Sequence, residues 1–153
     1  MKVVGTGSPV ALTLRLRERE IRGLSEELDH RRRVADEAME KALERGRDLS
    51  AVRDDGRTPA EVAGAIVVMQ EVIARAVPNA QERFVVTGPT WLLAPAIRGA
   101  SIDASERLVD ALRRFADENV GSAEELRDAV GDAAAWSETL IGLDHAESFG
   151  LDA

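Results

Sequence analysis

Glu27 and His30 stand three residues apart in a stretch rich in Glu, Arg, Leu and Ala. On a helix that spacing turns both side chains the same way, as in the Glu-x-x-His pairs of di-metal helical bundles. Such a centre needs the pair twice, with further carboxylates. The other histidine, His145, has no comparable partner, so the pair predicts a solvated charged face and no metal site. Glu71 precedes Arg75 by one helical turn, the spacing of an ordinary ion pair on a helix edge. Gly5-Thr6-Gly7 opens like a phosphate-cradling loop, but the third glycine is missing and few strands follow to build the sheet that motif needs. The absence of cysteine removes disulfides, thiolate nucleophiles and Cys-based metal sites together. No Gly-x-Ser-x-Gly, P-loop or Ser/His/Asp spacing is present. The expectation is a non-enzymatic protein with no catalytic residue, cofactor or metal.

The 153 residues suffice for one domain with a real core. Aromatic residues make up only 3%, so that core must be built from Ala, Val, Leu and Ile. The net charge of −8 is unevenly distributed. Through Arg57 the chain carries thirteen basic and twelve acidic residues; beyond it there are seven and sixteen. An acidic second half argues against a general nucleic-acid surface there. MKVVGTGSPV does not read as a secretory leader, and the most apolar helix carries Glu61, Gln70, Glu71 and Arg75, which a lone membrane span rarely holds. The chain is expected to work in the cytoplasm or within an assembled particle, without a membrane.

These residues are positioned by a mainly α fold: a helical bundle with a long N-terminal helix, a buried central helix, a C-terminal helical hairpin and at most one or two short strands. Residues 1–17 form an arm, in which 10–16 fit a strand or a helix start equally well. Residues 18–46 read as a long amphipathic helix whose Ile21, Leu24, Leu28, Arg31, Ala35, Ala38 and Ala42 step by three and four, with Leu14 extending the seam backward. The small second half of that seam suits packing on a neighbouring helix; the larger first half is expected to project and pair with another copy. Residues 58–142 make the helical core. It opens with a capping box at Thr58 and Glu61 and Pro59 at the first helical position. Residues 58–77 are apolar almost all round, the mark of a buried rod. Phe84 to Thr87 could form one strand. Thr90 to Ile97 reads as a short helix kinked by Pro95, too short to bury Trp91, Leu92 and Leu93 alone. Helices from Asp103 to Asn119 and from Ser122 to about Ile141 form the hairpin, with Leu108, Val109, Leu112, Phe115 and Ala116 facing inward on the first and Leu126, Ala129, Val130, Ala133, Trp136, Leu140 and Ile141 on the second. Residues 143–153 form an acidic tail holding Phe149.

Together these features predict a helical assembly protein, a subunit of a homo-oligomer or larger structural complex, with Leu14, Ile21, Leu24, Leu28, Trp91, Leu92, Leu93 and Phe149 as interface candidates. Read as strand then helix, residues 10–43 resemble the ribbon-helix-helix DNA-binding family, in which two chains pair one strand each and lay the ribbon in the major groove. The resemblance puts Leu12 to Leu16 in the strand, with Thr13, Arg15 and Arg17 toward bases and Arg31, Arg32 and Arg33 near phosphates. Arg17 stands where that family has proline, and the run from His30 to Asp36 holds no Gly or Ser for the turn between its helices. The two alternatives to assembly are therefore a dimeric DNA-binding regulator of that kind and a small-molecule enzyme without a recognisable motif.

Overall fold

The computed structural model describes residues 10–51, 53, 56–117 and 122–149, with side chains of the last helix through Ala146. The fold is mainly α, with four helices and one small antiparallel sheet. In chain order the elements are strand β1 (Ala11–Leu16), helix α1 (Glu18–Glu44), a 3-10 turn (Leu49–Ala51), helix α2 (Pro59–Arg75), strand β2 (Phe84–Pro89), helix α3 (Thr90–Ala116) and helix α4 (Ala123–Phe149). No helix among the described residues is long and apolar enough to cross a membrane.

The ambiguous residues 10–16 form a strand because their alternation is used. Leu12, Leu14 and Leu16 turn into the core while Ala11 and Arg15 face out. β1 pairs antiparallel with β2, from Ala11 opposite Pro89 to Leu16 opposite Phe84. Gly88 sits opposite Leu12 on the inner side, and a Cβ there would collide with the sulfur of Met69. A larger residue at this position would have to displace the Met69 side chain from between strand and helix.

Helix α1 ends in a Schellman motif: Gly46 is left-handed (φ 64°), its N–H meets the carbonyl of Leu43, and the N–H of Arg47 meets that of Ala42 at 2.8 Å. Helix α2 opens with the expected Thr58–Glu61 box and with Pro59 at its first position. Its burial differs from expectation. Ile66, Met69 and Ile73 face inward, but Val67, Val68 and Val72 remain 41, 62 and 37% exposed. The helix packs along α1, where Gln70 bonds Asp29 and Arg32, and nothing among the described residues covers its other side.

The enclosed rod is α3 instead. It buries ten residues against four in α2. The Trp91 segment and the helix expected from Asp103 are one 27-residue helix that runs through Pro95 and Gly99. Proline in a helix interior costs about 3 kcal/mol and glycine about 1. Burial of Leu92, Leu93 and Ile97, each contributing about 1.5–3 kcal/mol, offsets both. The remaining buried positions are small: Thr90, Ala94, Ala96, Ala100, Ser101, Ala104 and Ala111. They let α1 and α4 come close, and a Cβ at Gly99 would overlap the Glu27 carboxylate.

The first half of α1 does not project. Leu24 and Leu28 are fully buried, and Gly23 lies under the buried ring of Trp136 from α4. Helix α4 also runs further than expected: Leu143 and Ala146, placed in the tail by sequence, belong to the core.

Candidate functional site

The core claims most of the residues put forward for an interface. Leu14, Leu24, Leu28, Leu92 and Leu93 are all buried within this chain, and Ile21 packs half-buried against them. A seam of three- and four-residue spacing shows only that one helix face wants cover; here α2, α3 and α4 supply it. Trp91 is half-buried, with the Arg57 guanidinium 4.0 Å above its ring centre. The side chain of Phe149 lies outside the described residues.

The DNA-facing set is dispersed by the same packing. Thr13 and Arg15 lie on the outer face of the ribbon, where Thr13 hydrogen-bonds Thr87 across the strands at 3.0 Å. The ribbon, however, is completed by β2 of the same chain, and residues 18–44 are one continuous helix. The resemblance implied a strand shared between chains and two helices, so the architecture it requires is not present. Arg17 bonds Glu138 at 2.6 Å, and Arg31 bonds Glu27 and the carbonyl of Pro95. Arg32 meets Gln70, and Arg33 is exposed.

A different surface is left uncovered. Along the distal part of α3, Ile102, Ser105, Val109, Leu112 and Ala116 follow steps of three and four, and all are exposed. Val109, Leu112 and Phe115, expected to face inward, are 45, 49 and 48% exposed. The inner side of this segment is Ala104, the half-buried Leu108 and Ala111, and it packs on α4, where Ala129 is buried and Leu126 and Ala133 are half-buried. Small residues bring two helices close without filling the space between them. Val109, Leu112 and Phe115 stand to the side, with Val130 of α4 also 47% exposed. Ile102, Ser105, Val109 and Leu140 line an open groove of about 650 Å³, edged by Glu106, Asp110 and Arg113.

The charges beside this surface are of both signs and locally paired. Arg114 bonds Glu125 at 2.9 Å, Arg113 lies 3.9 Å from Asp110, and Arg107 bridges Asp103 and Glu26. The groups whose ionisation is displaced lie elsewhere. The hydrogen bond and charge of Arg17 hold the Glu138 carboxyl below its ordinary value, and the same bond raises Arg17. The backbone N–H of Ser50 lowers Asp48 at the 3-10 turn. Among the described residues no group of three or more His, Asp or Glu is placed to hold a metal ion.

Comparison of the chain with protein-family models, with curated proteins and with solved structures found no match.

Proposed function

We propose that this chain is a non-enzymatic assembly subunit that pairs with a second copy of itself through the outer face of α3. The supporting observation is the exposed row Ile102–Val109–Leu112 with Phe115 beside it, a coiled-coil spacing with no helix opposite among the described residues. The exposed part of α3, residues 102–116, is about 22 Å long, room for a contact at the small end of specific interfaces. The mixed charges favour a like partner. In a two-fold contact each surface meets itself reversed, so Arg113 of one copy can approach Glu106 or Asp110 of the other.

Sedimentation velocity at about 100 μM, where an interface of micromolar affinity is saturated, gives the test. The expected result is a defined dimer or higher closed multimer that dissociates in the double variant Val109→Asp, Leu112→Asp. Because both side chains are half exposed, the variant should keep its helical circular dichroism. A monomeric wild type refutes the proposal. A multimer that survives the double variant, but falls apart with Val68→Asp on α2, assigns assembly to the other face and refutes this one.

A further inference from the structure

An independent feature lies toward the first turn of α3. Arg31 and Val34 of α1, Arg57 and Val62 at the start of α2, and Trp91 and Pro95 of α3 line an open groove of about 630 Å³. That volume lies within the range of small-molecule sites, about 300–1,000 Å³. Its floor is apolar, continued by Ala35, Ala38 and Pro59.

The polar groups of the groove are unusual for this chain. The protein carries a net −8, yet the lining brings Arg31, Arg57 and Arg98 together with a single carboxylate, Glu27. Arg98 stands with Asp144, 3.6 Å away. Arg31 is fixed in place: its Nε donates to Glu27 at 2.8 Å and one terminal nitrogen donates to the Pro95 carbonyl at 2.9 Å. A guanidinium has five N–H donors, so this orientation uses two and leaves others for a ligand. Arg57 lies over Trp91 and has no carboxylate partner among the described residues. A guanidinium stacked on an indole keeps its N–H edge available for a planar acid, the geometry in which arginine binds carboxylate or phosphate through two bonds. Arg31 and Arg98 stand on helices, and Arg57 immediately precedes the Thr58 cap of α2.

We infer that this groove binds a small organic anion: a carboxylate or phosphate ester on a flat apolar body. The body lies on the Val34–Val62 floor against Trp91, and the acid group engages Arg57 and Arg31. The inference does not depend on the assembly reading, because none of these residues lies on the outer α3 face.

The probes are 2-naphthoate, 2-naphthyl phosphate and the uncharged 2-naphthalenemethanol, titrated into the full chain and followed by proton–nitrogen correlation spectra. The indole N–H of Trp91 reports the groove, and that of the buried Trp136 is the internal control. The expected result is binding of at least one anion with Kd below about 1 mM, about tenfold tighter than the alcohol, with the largest shift at Trp91. Arg57→Gln and Arg31→Gln should each weaken the anion about fivefold or more and leave the alcohol unchanged. The ratio of phosphate to carboxylate affinity identifies which acid the site takes, and either supports the inference. Should Arg31→Gln fail to fold, Arg57→Gln alone decides, since the Arg57 side chain stacks on Trp91 and bonds nothing in the core among the described residues. Equal affinity for alcohol and anions, no anion bound below about 5 mM, an Arg57→Gln protein that binds anions as well as wild type, or shifts centred on Val109 and Leu112 each overturn it.

Discussion

Replacing Glu20 should separate the charge of a buried carboxylate from its role as a hydrogen-bond acceptor. The residue is fully buried near the start of α1. One carboxylate oxygen accepts the backbone N–H of Arg17 at 3.2 Å and lies 3.4 Å from its guanidinium; the other accepts the hydroxyl of Thr139 from α4. Arg17 offers no acceptor in return, so this is half of a capping box, extended to tie two helices. Hydrogen bonds to charged groups contribute about 1.5–3 kcal/mol each, and a buried group left unpaired adds its desolvation cost. Glu20→Ala orphans the Thr139 hydroxyl and the Arg17 N–H. With both bonds lost the cost should be about 3 kcal/mol. Glu20→Gln keeps its oxygen for the Arg17 N–H, and its amide can donate to the Thr139 oxygen, since a hydroxyl accepts as well as donates. Only the partly exposed ion pair is lost, at about 1 kcal/mol. Thr139→Val should cost about 2 kcal/mol alone and much less on the Glu20→Ala background. Urea unfolding followed by circular dichroism gives all the values. If the Ala and Gln variants lose equal stability, acceptance is not what the carboxylate contributes and the reasoning fails.

Leu28→Ala should lower stability by about 2–5 kcal/mol, because the site is fully buried between helices. Its mass in solution should match that of wild type; dissociation without loss of stability in urea would show that Leu28 faces a second chain. The Arg17–Glu138 pair should act on the acid side of the pH profile. The hydrogen bond and charge of Arg17 hold Glu138 below its ordinary 4.5, so the folded state binds that proton less readily than the unfolded chain does. The contribution is complete above the unfolded value and is lost as pH falls through the folded one. A carbon-detected titration should find Glu138 below 4.5, and Arg17→Gln should return it there; an unshifted wild-type carboxyl would show that the pair does not form.

The fold class, the capping box at Thr58, the stop at Gly46 and the hairpin were all readable from local chemistry, because caps and turns depend on neighbours in sequence. Packing order was not. Residues 59–75 are richer in valine and isoleucine than residues 90–104, yet the latter form the enclosed helix. Alanine and serine at 94, 96, 100, 101 and 104 carry little hydrophobic signal, but their small size lets three elements converge on one axis. Val109, Leu112 and Phe115 face outward, since Ala104, Leu108 and Ala111 occupy the side facing α4. Spacing found the amphipathic faces; deciding which face was covered required knowing which helix could be approached most closely. The groove at Trp91 had a sequence signal in the aromatic residue alone, since Arg31 and Arg57 arrive there from two other elements.

The pairing of β1 with β2 has a consequence during synthesis. Residues 11–16 leave the ribosome long before residues 84–89 exist, and at about 5–20 residues per second the interval lasts several seconds. Through that interval Leu12, Leu14 and Leu16 have no strand to join, while Leu24 and Leu28 wait for helices still unmade. The nascent front half is a sticky, unfinished polypeptide. A cut between α2 and β2 would yield two fragments, neither able to close its interior.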